Sequence, residues 1–180
     1  MAKPGPNPAS ALYRHRGRYR LETFHDPALG RLAACRTTPG TGEGVILLNS
    51  AAGPTELETY FKGGSGSRTS LQKKAVLARL ADQGWPWEKI AALTGSKTGT
   101  RRFLILHEIS HLNHGDHKTY GKMDEESRIA VETRACAEAL TAMAKTMAMA
   151  SAKATAVKKR QRPGQTEEKR EALRFRAASL

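Results

Sequence analysis

Residues 102–111 read Arg-Phe-Leu-Ile-Leu-His-Glu-Ile-Ser-His, and this stretch decides how the rest of the chain is interpreted. It contains an H-E-x-x-H motif, formed by His107, Glu108 and His111. On a helix, two histidines at positions i and i+4 project from the same face, one turn apart. That spacing lets both imidazoles reach one metal ion at about 2.0–2.1 Å. We therefore predict a Zn²⁺ site in which Glu108 is the catalytic base, because its position beside the first histidine lets it take a proton from water.

The residues around the motif predict a buried helix. Thr100 is a suitable N-cap for a helix over Arg101–His114, and Gly115 can end it. Its apolar positions form a stripe on the side away from the histidines; they are Ile105, Ile109 and Leu112. We expect this helix to pack in the core and to present its metal face to a cleft.

A catalytic zinc site usually has three protein ligands and one open position, so a third ligand is needed. His114 lies about 10.5 Å along the axis from His107 at 1.5 Å per residue, so we expect it to lie behind the ligands or in solvent. His117 follows the turn at Gly115, where a chain reversal could return it toward the metal. Glu132 is the third candidate.

Glu132 is favoured because it projects inward from a predicted helix that runs from Glu125 to about Ala150, with Asp124 as its cap. The apolar stripe of that helix consists of Ile129, Cys136, Leu140, Met143 and Met147. Glu132 lies about 60° from Ile129, inside the edge of this stripe. A carboxylate that faces a core needs a metal or a cationic side chain as partner. The predicted ligands are therefore His107, His111 and Glu132, with His117 as the alternative third ligand.

The remaining segments predict an α+β fold, with a small antiparallel sheet followed by a helical core and basic flexible tails. The strands are expected as a meander of Tyr19–Phe24, Arg31–Arg36 and Val45–Asn49. The other helices are expected at Pro54–Phe61, at Leu71–Gln83 with Ser70 as cap, at Pro86–Leu93 and at Thr166–Ala178. Lys62–Ser70 is rich in Gly and Ser, and we expect a flexible loop that can close over the cleft.

The charge is concentrated at the two ends of the chain. The net charge is +13; residues 1–36 hold seven basic and two acidic residues, and residues 151–180 hold nine and three. Basic tails favour non-specific binding of nucleic acid, although a solubilising role explains them equally well. We predict a disordered basic arm over 1–18 and a basic tail with a short helix over 151–180.

Membrane and secreted classes are not favoured. The longest strongly apolar runs, Val45–Leu48 and Phe103–Leu106, fall far short of the roughly 20 residues that span a bilayer. The first ten residues contain no apolar signal segment, and Cys35 and Cys136 are too few for a disulfide framework. A cytoplasmic setting is therefore expected, with both cysteines as small buried residues.

The stretch at 102–111, followed by Leu112 and His114, resembles the ImmA/IrrE-type zinc metallopeptidases, which carry an R-F-x-x-x-H-E-x-x-H helix. Glu132–Ala135 resembles their downstream E-x-x-A helix, which supplies a Glu ligand, and Val45–Asn49 resembles their preceding strand. The resemblance implies a zincin-like domain over 19–150 that hydrolyses a protein substrate. It also implies a phage or mobile-element origin, in which case the setting is the cytoplasm of the host.

A second resemblance concerns the third ligand. The pattern H-E-x-x-H-x-x-x-x-x-H, which ends at His117, is similar to that of the SprT-like zincins. In that group His117 would bind the metal, and some members act on DNA-bound proteins. Tyr120 follows closely and could donate a hydrogen bond to a developing oxyanion, although a packing role is the simpler interpretation. For peptide hydrolysis, we expect Val45–Asn49 to offer an exposed strand edge to an extended substrate.

The alternative function is DNA binding. Residues 77–104 resemble a helix-turn-helix, with 85–95 as the first helix and turn and with Ser96–Leu104 as the recognition helix. In that interpretation the basic tails would add affinity for DNA, and the zinc site would be structural or inactive.

Overall fold

The computed structural model describes residues 19–26, 31–62 and 68–160, and for 68–70 and 157–160 it describes the backbone only. The predicted disordered arm over 1–18 and the predicted helix Thr166–Ala178 lie outside these residues, as does most of the predicted loop Lys62–Ser70. The chain divides into two compact units, and the division falls after Met143.

The fold opens with a three-stranded mixed sheet made of β1 (Tyr19–Phe24), β2 (Ala33–Thr37) and β3 (Gly44–Asn49). β3 lies in the centre, parallel to β1 and antiparallel to β2. The predicted α+β class is confirmed, whereas the antiparallel meander is wrong. The reason lies in β3, where every residue except Leu47 is buried. A nearly continuous apolar strand is typical of a strand that is covered on both faces, and such a strand takes the centre of a sheet.

The central position of β3 also corrects the expectation of an exposed edge at Val45–Asn49. Both edges of β3 are paired, so an added strand could not bind there. β1 and β2 form the edges of the sheet in the described part of the chain.

Five helices follow the sheet in the described residues, separated after the fourth by two short 3-10 turns. They are α1 (Pro54–Lys62), α2 (Arg68–Asp82), α3 (Trp87–Thr94), α4 (Lys97–His114), the turns Asp116–Lys118 and Tyr120–Lys122, and α5 (Glu125–Arg160). Asp124 caps α5 as predicted, because its carboxylate accepts a hydrogen bond from the Ser127 amide at 2.7 Å. Four of these helices lie close to their predicted positions, whereas α5 continues to Arg160, ten residues past its expected end near Ala150 and into the segment expected to be a flexible tail. Two of the predicted caps are wrong.

The start of α4 is one turn earlier than expected. Ser96 is the cap, accepting from the Gly99 amide at 3.0 Å, and Thr100 lies inside the helix. The buried Thr100 hydroxyl instead donates to the Thr94 carbonyl at 2.8 Å. A Cβ on Gly99 would lie 2.6 Å from the Leu93 carbonyl oxygen, so the missing side chain lets α4 begin directly against α3. Ser70 likewise lies within α2, which begins at Arg68.

α4 is the central helix of the first unit, and it packs against β2, β3, α1 and α3. Its buried apolar residues, among them Phe103, Leu106 and Ile109, belong to one continuous core. The stripe predicted on α5 is buried from Ile129 to Met143. Its last member, Met147, is 55% exposed, so the buried stripe ends one turn earlier than predicted.

Among the helices of the described residues, none combines the length and the apolar character required to cross a bilayer.

Candidate metal centre

The two histidines of the motif face each other on α4. The Nε2 atoms of His107 and His111 lie 3.0 Å apart, and both side chains are buried. Their rings meet nearly at right angles, with centroids 4.6 Å apart. The i, i+4 spacing therefore brings the two imidazole nitrogens to one point, as the sequence predicts.

Glu132 reaches the same point from α5. Its Oε2 lies 3.3 Å from His107 Nε2, and its Oε1 lies 3.7 Å from His111 Nε2. One potential ligand atom from each of the three residues lies within 4.8 Å of the others. No other group of three His, Cys, Asp or Glu side chains in residues 19–26, 31–62 and 68–160 meets this condition. The preferred ligand set is thus brought together, and zinc binding itself stays a prediction.

The other two histidine candidates are not part of this cluster. His117 lies in the first 3-10 turn, and both its ring nitrogens are buried without a hydrogen-bond partner among the described residues. His114 is 42% exposed in its side chain and pairs with Glu138 at 3.1 Å, in agreement with its expected place away from the metal. The geometry therefore favours Glu132 over His117.

A carboxylate behind His111 determines which of its nitrogens faces the cluster. Asp116 Oδ2 lies 3.0 Å from His111 Nδ1, and Asp116 is itself held by an ion pair with Arg134. Since an ionised carboxylate only accepts hydrogen bonds, the proton of a neutral His111 ring resides on Nδ1. The Nε2 lone pair is then directed at the cluster, as a metal ligand requires.

A thiol occupies the corresponding place behind His107. Cys136 Sγ lies 3.4 Å from His107 Nδ1, and both groups are buried. This contact engages Nδ1 and leaves Nε2 for the cluster. Three donor atoms of types that bind zinc therefore converge: one nitrogen from each histidine and a carboxylate oxygen of Glu132. The second ring nitrogen of each histidine is engaged by Asp116 or Cys136. This donor set fits Zn²⁺.

The charges in and around the cluster favour the binding of a cation. Burial raises the pKa of Glu132, but hydrogen bonds and charges from His107 and His111 outweigh it and hold that pKa well below its ordinary value. Burial lowers the pKa of His107, but Cys136 and Glu132 outweigh it and raise that pKa well above its ordinary value. The surroundings of His107 thus favour its positively charged form, and a divalent cation would satisfy the same demand.

Glu108, the predicted base, is buried beside the cluster and lines the same cavity as His107 and Glu132. Cys35 on β2 interacts with it electrostatically. Burial and the charge of Glu108 raise the pKa of the Cys35 thiol, so the thiol keeps its proton and can donate it to the carboxylate. Sequence reasoning missed this contact and treated Cys35 only as a small buried residue.

Two tyrosines border the cluster. The Tyr120 ring lies against His111, with ring centroids 6.4 Å apart, and burial together with the nearby Glu132 carboxylate raises the Tyr120 pKa. Arg128 holds the second 3-10 turn in place, because it donates to the carbonyls of Tyr120 and Gly121, both at 3.3 Å. Tyr60 on α1 was not singled out from the sequence; burial and the charge of Glu132 raise its pKa as well.

A cavity opens from the cluster between α1, α2, α4 and α5. Its volume is about 110 Å³, several times the roughly 10–15 Å³ that one water molecule occupies on this scale. Its walls are mainly apolar and include Leu32, Leu57, Phe61, Val76, Phe103 and Ile129. The cluster therefore borders a space that could receive an apolar side chain.

The chain was compared with protein-family models, with curated proteins and with solved structures, and none of the three comparisons finds a match. The resemblance to zinc metallopeptidases therefore rests on the motifs at 102–111 and 132–135.

Proposed function

We propose that this protein is a zinc-dependent metallopeptidase that hydrolyses a protein substrate. The observation that carries the proposal is the convergence of His107, His111 and Glu132, next to a partly apolar cavity that Glu108 also lines. A merely structural zinc site is typically closed by four protein ligands, whereas three ligands leave one position open for chemistry.

Five residues have the proposed roles in metal binding and proton transfer. His107, His111 and Glu132 would hold the ion, and Asp116 would keep His111 in the tautomer that binds it. When bound, Zn²⁺ supplies a Lewis acid that polarises the substrate carbonyl and lowers the pKa of water toward about 7. Glu108 would take the proton from the attacking water as its oxygen bonds to the carbonyl carbon, and would then deliver that proton to the leaving amine as the C–N bond breaks.

β2 is the strand on which an extended substrate would lie. It forms an edge of the sheet, it packs against α4, and Ala33 lines the cavity. Cys35, two residues along on the same face, contacts Glu108. A peptide that adds to the edge of β2 that no strand of the described residues occupies would therefore pass beside both the base and the metal ligands.

The test combines metal analysis with a search for cleavage products. The protein is purified without chelator, supplemented with zinc and incubated with a proteome-derived peptide mixture, and new peptide termini are read by mass spectrometry. We expect about one equivalent of zinc. Glu108→Gln should keep that zinc and abolish the new termini, whereas Glu138→Gln, a matched change at a carboxylate that binds His114, should keep both.

Two outcomes contradict the proposal. If the unaltered protein holds no more zinc than a His107→Ala/His111→Ala double variant, there is no metal site. If Glu108→Gln leaves the new termini unchanged, Glu108 is not the base.

The DNA-binding alternative rests on the charge of the tails and on the first turn of α4, where Ser96, Lys97 and Thr98 are exposed. Helices that read DNA use such N-terminal positions. The following part of the predicted recognition helix packs in the core, because Thr100 and Phe103 are buried. In this alternative a DNA affinity that falls steeply with salt would be present, and Glu108→Gln would not change it.

A further inference from the structure

The cavity beside the metal cluster contains one feature that zinc chemistry does not require, the partly buried cation Lys73. Lys73 lies on α2 and lines the cavity together with Tyr60 and Gln72. Its Nζ lies 3.5 Å from the centre of the Tyr60 ring. A lysine ammonium has three N–H donors, and a ring face engages only one side of it, so the other donors are available to the cavity.

No carboxylate of the described residues pairs with Lys73. The ion pairs of the described chain involve other cations, and Lys73 takes part only in the contact with Tyr60. Burial lowers the Lys73 pKa, and no carboxylate opposes this shift. The neighbouring sequence from residue 62 to residue 74 contains no Asp or Glu that could serve as a partner.

The second cationic side chain that lines the cavity, Arg128, already has partners within the chain. Arg128 donates to two main-chain carbonyls and lies over the Tyr120 ring at 5.6 Å. Its guanidinium therefore fixes the turn that carries Tyr120. Lys73 is left as the group in the described cavity wall that can bind an anion.

We propose that Lys73 binds a carboxylate of the substrate, so that the preferred substrate places a large apolar side chain in the cavity and a carboxylate next to it. This inference rests on the proposed peptidase function and names the substrate class of the same site.

Two properties of the cavity support this substrate class. Its apolar wall would favour an aliphatic or aromatic side chain, because removing apolar surface from water stabilises the complex. With Zn²⁺ bound, the charges of Glu108 and Glu132 balance that of the ion, so a substrate carboxylate that lies away from the metal would be stabilised by a cation on another wall. Lys73, which lies on α2 and not on the ligand-bearing helices, is such a cation. The carboxylate can belong to an acidic side chain or to a chain terminus.

The test uses small zinc-binding probes, so that it does not depend on turnover. The probes are peptide hydroxamates with an isobutyl or a methyl side chain next to the hydroxamate, followed by Glu or Gln, each with a free or an amidated C-terminus. Their Kd values are measured by calorimetry on the zinc-loaded full chain. We expect the isobutyl probes to bind roughly tenfold more tightly than the methyl probes. We also expect loss of the carboxylate to weaken binding about tenfold. The loss of affinity on replacing Glu by Gln is compared with the loss on amidating the C-terminus. The larger loss identifies which carboxylate Lys73 binds.

Variants at two adjacent lysines isolate the effect. Lys73→Met should abolish the preference for the carboxylate and keep the preference for isobutyl, and Lys73→Arg should restore part of the former. Lys74→Met is the matched control, because Lys74 is exposed and does not line the cavity, and it should behave as the unaltered protein. Thermal unfolding of each variant verifies that it is folded.

The failures can be told apart. If zinc is bound and all probes bind equally well with or without a carboxylate, the role of Lys73 is refuted while the peptidase proposal stands. If Lys74→Met removes the preference as fully as Lys73→Met, general surface charge is the cause and the assignment is wrong. If no probe binds and the protein takes up no zinc, the proposed function fails and this inference fails with it.

Discussion

The two sides of the cleft are built differently. The side formed by α4 and α5 carries the polar cluster next to a few apolar residues; its histidines and carboxylates pair with one another, and Asp116 and Cys136 lie behind them. The side formed by α1 and α2 holds none of the predicted metal ligands and lines the cavity with Leu57, Phe61 and Val76 together with Tyr60, Gln72 and Lys73. Buried polar groups need partners in a fixed geometry, whereas apolar contacts tolerate change of shape. We therefore expect metal binding to depend on the first side, and fold stability and substrate choice to depend on the second.

The largest expected effect is on the polar side. Glu132→Gln removes the anionic ligand and leaves two imidazoles, so zinc affinity should fall by more than the roughly 10–100-fold that is typical when an outer partner of a ligand is lost. Competition with a fluorescent chelator measures the affinity. His117→Gln should have little effect, since His117 is not part of the cluster. The reverse result would show that His117 is the third ligand and would favour the SprT-like resemblance.

The next expected effect is a loss of fold stability when a buried side chain of α1 is removed. Phe61 is 6% exposed and packs against Tyr60 and Trp87, with ring centroids 5.5 and 6.3 Å away. Phe61→Ala should lower the free energy of unfolding by about 3 kcal/mol, because a large buried side chain is lost and a cavity remains. Denaturant unfolding measures this loss, and zinc affinity of the folded protein should stay unchanged. A large loss of zinc affinity would mean that the two sides are not independent.

The smallest expected effect sharpens the comparison within the polar side. Asp116→Asn removes the anion that orients His111 while it keeps the volume of the side chain. Zinc affinity should fall roughly 10–100-fold, in the range known for outer-shell partners of zinc ligands. Chelator competition again provides the measurement. The matched variant Glu138→Gln alters a carboxylate that contacts Ser110 and His114, and it should leave the affinity unchanged. An unaffected Asp116→Asn variant would show that Cys136 and the ring packing suffice to orient the histidines.

Residues whose partners lie on the same helix or at a fixed helical angle were predictable. His107 and His111 needed only the i, i+4 spacing, and Glu132 needed only its angle relative to Ile129. The same approach gave the wrong cap for α4, because Ser96 and Thr100 are both capping residues. The choice between them depends on the close approach of Gly99 to the Leu93 carbonyl. We also expected an exposed strand edge at Val45–Asn49, although the continuous apolar run in that strand already indicated a central position in the sheet.

The sequence by itself determined which side chains can meet in the His107, His111 and Glu132 cluster, since the helical repeat of 3.6 residues sets which positions share a face. Only the tertiary structure decided what surrounds them: that Cys35 of β2 meets Glu108, that Asp116 and Arg134 hold His111, and that Lys73 of α2 faces the cavity. These contacts join residues on different elements, so they depend on strand order and helix packing. No local periodicity encodes that arrangement, because it follows from how the whole chain buries its apolar surface at once.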